Sequence, residues 1–199
     1  MKCKMIRVLP IIMLVPLLIF ASMPFSSKSE SKVFTIPGLP RPIAEVPVVI
    51  TSAGQSTDTY IIYDIANQLM LRSFFMPQAS DTDIEDARTV VFAVGYSSLG
   101  LKLQGISYED EKKRIEKLIK KAKGNNLTVI TVVLGGEQPN DEKNEELLRL
   151  IGDKADYIIG LKASYSEKTL ADLAEKFNMP LTLVSKVKDI SEPFVSAFR

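Results

Sequence analysis

The chain has 199 residues and an almost even charge balance, with 25 Lys and Arg, 24 Asp and Glu, one Cys and no His. Five of the bases but only one acid lie in residues 1–32, so the remainder carries 20 bases and 23 acids. A mildly acidic domain without a basic stripe binds phosphate backbones poorly, which excludes nucleic acid as an expected partner. The lack of His excludes a Ser-His-acid triad and any His-ligated metal centre.

The first 25 residues have the layout of a targeting segment. A short basic stretch at 1–7 precedes an apolar run at 8–20, and a polar stretch follows it. This layout is typical of a secretory signal, and the run is shorter than the roughly 20 residues that span a bilayer. Because no clean Ala-x-Ala cleavage signal is present, an uncleaved N-terminal anchor is the alternative to a cleaved signal peptide. We expect an exported, extracytoplasmic protein that contacts a membrane only through this segment.

Residues 26–46 are predicted to form a proline-rich linker that leads to a single α/β domain at 47–199. Four prolines between 37 and 47 favour extended, semi-rigid chain. One interpretation is a spacer that holds the domain away from a membrane. The other places residues 33–36 on the surface of the domain, because their side chains are too apolar for a solvated tether. Since the predicted core elements lie beyond Pro47, the domain from about residue 46 is expected to fold alone.

Beyond Pro47, strand and helix patterns alternate along the chain. Continuous β-branched runs at 89–94 and 127–134 indicate strands buried on both faces, as in a parallel sheet covered by helices. The alternation predicts an α/β fold, with a doubly wound, mainly parallel sheet of five to six strands in a flavodoxin- or Rossmann-like three-layer sandwich. The expected strand order is 2-1-3-4-5 with a sixth strand beyond it, and the other strands are expected at 48–50, 74–76, 156–161 and 181–184.

A helix is predicted at 108–123 and another at 60–71. In the first, apolar residues recur at helical spacing, and Ser107 is the predicted N-cap. We interpret the many Lys and Glu residues of this helix as its solvated face. Further helices are expected around the apolar stripes within 147–151 and 170–177, the latter with a capping box that begins at Ser164.

The candidate site lies where the predicted strand order reverses. In doubly wound sheets, ligands bind beyond the carboxyl ends of the strands at this point. The turn at 51–56 and the loop at 95–105 meet there, and the loop at 135–139 would form the far wall. Backbone N–H groups at such strand-to-helix turns attract anions and polar groups. We therefore expect a crevice whose ligand-binding residues are Ser52, Gly54, Gln55, Ser56, Gly95, Ser97, Ser98, Gly136 and Glu137.

Known nucleotide and catalytic motifs do not match these loops. Gly54 stands without the other two glycines of a dinucleotide fingerprint, and the P-loop spacing of Gly95 and Gly100 is not followed by Lys-Ser/Thr. No cofactor can be assigned, and the acidic residues show no metal-ligand spacing. Glu137 or Asp58 could serve as an acid or base in an enzyme that needs neither His nor Cys.

Several of these stretches resemble exported bacterial proteins of one family, domain of unknown function 6305. The resemblance covers about residues 46–195, and it implies an exported α/β domain without an assigned activity. It rests on the stretches at 51–56, 94–98, 105–106, 135–137, 155–157 and 180–184.

The favoured function is binding of a small polar or anionic ligand at the carboxyl ends of the strands. A His- and Cys-independent enzyme and a structural or protein-interaction module remain alternatives. Protein partners, the ligand itself and the oligomeric state are not determined by the sequence.

Overall fold

The computed structural model describes residues 33–34, 38–135, 142–162 and 167–199. The targeting segment predicted at 1–25 lies outside these residues, as do 26–32 and 35–37 of the predicted linker. The strands are β1 (Val33–Phe34), β2 (Val48–Ala53), β3 (Ser73–Phe75), β4 (Thr89–Val94), β5 (Thr128–Val133), β6 (Tyr157–Leu161) and β7 (Leu181–Val184). The helices are α1 (Asp58–Gln68), α2 (Ser98–Gln104), α3 (Tyr108–Gly124), α4 (Glu142–Gly152), α5 (Glu167–Phe177) and α6 (Ser191–Ser196), with a short 3-10 helix at Val187–Ile190 before α6.

All strands run parallel in one sheet, in the order β1-β7-β6-β5-β4-β2-β3. Apart from the two-residue β1 at one edge, this is the predicted six-stranded order, and the doubly wound α/β fold is confirmed. Strands β2 and β4 are buried at every position, which explains why their sequences lack polar alternation. Their register pairs Val48 with Thr89 and Ala53 with Val94, so both strands end at the same level.

Two apolar cores cover the two faces of the sheet. On one face, Phe92 and Val133 of the sheet belong to the same cluster as Leu118 of α3 and Leu147 of α4. On the other face, Ile50 clusters with residues of α1 and α6. The three-layer arrangement follows because each strand presents alternate side chains to opposite faces.

Helix α3 begins and ends where the sequence predicts. Ser107 accepts a hydrogen bond from the Asp110 N–H, and Asp110 completes a capping box. The apolar stripe packs inward, and Leu118 is fully buried. For α5, the predicted cap at Ser164 lies outside the described residues, while the helix itself is present.

The loop expected at 95–105 is largely helical, which corrects the prediction. Ser97 caps α2 by accepting a hydrogen bond from the Gly100 N–H at 3.0 Å, and Gly105 ends the helix with a left-handed backbone. Leu101 anchors the helix by packing into the core. The N-cap serine and the C-terminal glycine were present in the sequence, but the intervening Gly100 and the short length favoured a loop.

The residues just before β2 pack against the C-terminal helix. Leu39 and Ala44 are buried; the Leu39 N–H donates to Ser196 Oγ at 2.9 Å, and the Ala44 N–H donates to the Ala197 carbonyl at 2.8 Å. Part of the core therefore precedes Pro47. Among the described residues, no helix is long and apolar enough to cross a membrane.

Candidate functional site

The strand order reverses at β2, which has β3 on one side and β4 on the other. After Ala53, the chain makes a tight turn in which Gly54 has φ 107° and Gln55 has φ 62°. Gln55 then forms an isolated antiparallel bridge with Tyr96, the second residue after β4. Gly54 suits this left-handed conformation, whereas a non-glycine residue such as Gln55 enters it only at a cost.

The two loops at this point touch through their backbones. A Cβ atom on Gly54 would lie 2.5 Å from the Gly95 carbonyl oxygen, and one on Gly95 would lie 2.5 Å from Ser56 Oγ. A Cβ atom on Gly100 would collide with the Gln55 carbonyl oxygen. The space that we expected between the turn and the loop is therefore filled by the protein itself. A ligand at this position has to bind on the outer surface of the two loops.

A carboxylate from α3 occupies the inner side of the turn. The Gly54 N–H donates to Glu111 Oε1 at 2.9 Å, and Gln55 Nε2 donates to the same oxygen at 3.1 Å. Glu111 is fully buried. The anion that the Gly54 N–H was expected to attract is therefore supplied by the chain itself.

Arg114, one turn further along α3, pairs with this carboxylate and holds the end of β2. Its Nη2 lies 2.8 Å from Glu111 Oε1, and its Nε donates to Oε2 at 2.8 Å. The same guanidinium donates to the carbonyl oxygens of Ser52 and Ala79 at 2.5 and 2.8 Å. A buried ion pair is stable only when further hydrogen bonds satisfy it, and here backbone and side-chain groups of the turn do so.

Most of the predicted site residues are buried rather than open to a ligand. Ser98, at the start of α2, is half-buried and lies beside the exposed Leu99, while Thr57 and Tyr60 are exposed at the start of α1. Ser52 Oγ is buried without a hydrogen-bond partner among the described residues. Gly136 and Glu137 lie outside the described residues, and the six predicted residues that are buried are Ser52, Gly54, Gln55, Ser56, Gly95 and Ser97.

A second polar cluster fixes the start of α4 to the loop after β4. The Tyr96 N–H donates to Asn144 Oδ1 at 2.6 Å, and Lys143 Nζ donates to Tyr96 Oη at 2.9 Å. The Lys143 ammonium also lies 4.5 Å from the centroid of the Tyr96 ring, within range of a cation–π interaction. Nearby, hydrogen bonds from Lys112 and then Tyr108 lower the pKa of Glu146.

Sequence reasoning missed Glu111 and Arg114, although a signal for the first was present. Glu111 lies four residues before Ile115, so it continues the apolar stripe of α3 through Leu118. An acidic residue on the buried face of a helix indicates a carboxylate with buried partners. Its partners in the turn, Gly54 and Gln55, could not be found in the same way, because they lie 57 and 56 residues away in the chain.

Across the described residues, no group of three or more acidic, Cys or His residues is arranged to hold a metal ion. Comparisons with curated proteins and with solved structures found no significant match. A family model described as "Domain of unknown function (DUF6305)" matches residues 45–198, which is most of the chain and all of the sheet except β1. The chain therefore belongs to the DUF6305 family.

Proposed function

We propose that this chain is a non-catalytic binding domain, and that its ligand is small and polar and docks on the outer surface of the strand-order reversal. The observation that supports this proposal most is the shape of the turn after β2. Gln55 is held at φ 62° by hydrogen bonds to Glu111 and to the Pro77 carbonyl. Such strained residues persist where the surroundings over-determine them, and they cluster at functional sites.

The interactions that hold this turn cost more free energy than a purely structural connection between a strand and a helix would need. A left-handed non-glycine residue costs about 1–3 kcal/mol, and a buried ion pair carries a desolvation penalty for both of its charges. An ordinary connection between a strand and a helix requires neither. A rigid turn is useful to a binding protein, however, because a ligand then loses less free energy to the ordering of its site.

The groups that remain for a ligand lie on the rim of this turn. The Gly54 N–H is used by Glu111, so it does not support an anion site. The Thr57 and Ser98 side chains, at the starts of α1 and α2, can donate and accept hydrogen bonds there. These hydroxyls favour a polar ligand over a strongly anionic one. The predicted targeting segment would place such a protein outside the cytoplasm.

A thermal-shift screen followed by calorimetry tests this proposal. The panel contains sugars, amino acids, small carboxylates and phosphate esters, since a compound that binds the native state raises the melting temperature. We expect a stabilising compound whose affinity falls about tenfold or more in Ser98→Ala. Lys117→Ala, on the exposed face of α3, is the matched control and should bind normally. Equal affinity in both variants would contradict the proposed location.

A protein-interaction module is the second candidate. It is favoured by the filled space between the loops and by two large apolar side chains at the same rim, since Tyr60 is 62% exposed and Leu99 is 59% exposed. Exposed apolar side chains that cluster in this way often mark protein contacts. A photo-crosslinker at position 99 that captures a specific protein in cells, together with a screen that yields no compound, would favour this candidate.

A further inference from the structure

Exposed apolar side chains also gather at the opposite end of the sheet, where the strands begin. Met70 is 86% exposed, Val46 44% and Ile43 40%. Val46 leads into β2 and Met70 leads into β3, so the two residues meet at the same end of a parallel pair. A cavity of about 570 Å³ joins them and is lined by Ala44, Glu45, Val46, Met70, Leu71, Arg72, Phe198 and Arg199.

Three arginines lie at this end of the sheet. Arg72 and Arg88 are exposed, and their backbones hydrogen-bond to the chain on either side of the start of β2. Arg199 lines the cavity with Arg72. The exposed acids Glu45 and Asp86 lie at the same end, so the surface is nearly neutral overall. Apolar side chains flanked by arginines suit the boundary between lipid headgroups and acyl chains.

The direction of β1 shows at which end of the sheet the chain joins it. β1 pairs in parallel with the first two residues of β7, Val33 with Leu181 and Phe34 with Thr182. The chain therefore enters the sheet from the end where the strands begin. Twelve residues separate the apolar run at 8–20 from Val33, and such a stretch spans at most about 40 Å.

We propose that the end of the sheet where the strands begin rests on a lipid bilayer, with Ile43, Val46 and Met70 in the headgroup region. The bilayer is the one that holds the apolar run at 8–20 as an anchor. The surface that carries the proposed ligand rim then faces away from the membrane, because β2 and β4 end at the opposite side of the sheet. This inference does not depend on the proposed ligand.

Fluorescent labelling of the full chain in vesicles tests this contact. Cys3 is the only cysteine, so Cys3→Ser allows a single new cysteine to carry an environment-sensitive fluorophore. The test position is Met70→Cys, and the matched control is Leu99→Cys, which is also apolar and exposed. Met70 has a left-handed backbone with φ 55°, and Cys adopts this conformation at the same cost in free energy as Met.

The vesicles contain phosphatidylcholine and phosphatidylglycerol with brominated acyl chains as quenchers. We expect the label at position 70 to lose at least half of its fluorescence and the label at 99 to lose almost none. The six-residue strands β2 and β4 alone separate the two ends by roughly 20 Å. Equal quenching at both positions, no quenching at 70, or a chain that does not co-sediment with the vesicles would overturn the proposal. If the fluorescence of the label at 70 changes with protein concentration and not with lipid, this surface contacts a second copy of the chain instead of a bilayer.

Discussion

Glu111 illustrates how one buried side chain determines the shape of the candidate site. Its carboxylate receives hydrogen bonds from Gly54 and Gln55 and pairs with Arg114, so it links α3 to the end of β2. The carboxylate and the guanidinium therefore depend on each other. Removal of the guanidinium leaves a fully buried carboxylate without a counter-charge, and removal of the carboxylate does the same to a half-buried guanidinium.

We expect Glu111→Gln to destabilise the domain by about 3 kcal/mol or more. Gln keeps the size of the side chain and can still accept from the Gly54 N–H, but it leaves the Arg114 guanidinium without a counter-charge. The control is Glu109→Gln on the same helix, where the side chain is 68% exposed and lies 3.9 Å from Lys112. This change should cost less than about 0.5 kcal/mol. Urea denaturation measures both, and equal losses would show that the buried pair contributes nothing specific.

Tyr157 gives the domain a pH dependence in alkaline solution. Burial raises the pKa of its hydroxyl to about 12, and the hydroxyl donates to Thr182 Oγ1 at 2.6 Å. The unfolded chain loses this proton near pH 10, whereas the folded chain keeps it, so the free energy of unfolding falls between about pH 10 and 12. The slope should be shallower in Tyr157→Phe. Urea midpoints at pH 9 and pH 11 measure the difference, and identical slopes in the two proteins would exclude this contribution.

At the scale of single elements, helix α3 buries one face against the sheet and exposes the other to solvent. Its predicted cap and apolar stripe are both present in the structure. The prediction went too far only in treating all of its charged residues as solvated, because Glu111 lies on the buried face. Periodicity identifies which face is buried, but it does not reveal a polar partner from another element.

Leu118→Asp should prevent the domain from folding, while Lys117→Asp should change its stability little. Leu118 is fully buried beneath the sheet, and an unpaired carboxylate there costs several kcal/mol, which is comparable with the total stability of a domain. Lys117 is exposed one position earlier. Circular dichroism and thermal melting distinguish the two variants. Similar melting curves would contradict the packing of the Leu118 face of α3 against the sheet.

Across the whole molecule, the sequence was sufficient for the order of the six longer strands. Continuous apolar runs separated by helical patterns allow few other parallel arrangements. The close packing of Gly54 against Gly95 was not predictable, because it depends on backbone positions 41 residues apart. The packing of residues 38–46 into the domain was not predictable either, because their partners, Ser196 and Ala197, lie at the far end of the chain.

A chain that begins at residue 46 should therefore be less stable than one that begins at residue 33. It loses the buried side chains of Leu39 and Ala44 and their hydrogen bonds to the end of α6. We expect a loss of about 3–5 kcal/mol, from one large apolar side chain and several hydrogen bonds. Urea midpoints of the two chains measure it. Equal midpoints would show that residues 33–45 contribute nothing to the stability of the domain.

Amide chemical-shift mapping tests most directly whether a ligand binds over the turn where the strand order reverses. The ¹⁵N-labelled protein is titrated with a compound that raised its melting temperature. We expect the largest shifts at Thr57, Ser98 and their neighbours in the first turns of α1 and α2. Shifts confined to the groove between α3 and α4, around Ile119 and Leu150, would contradict it.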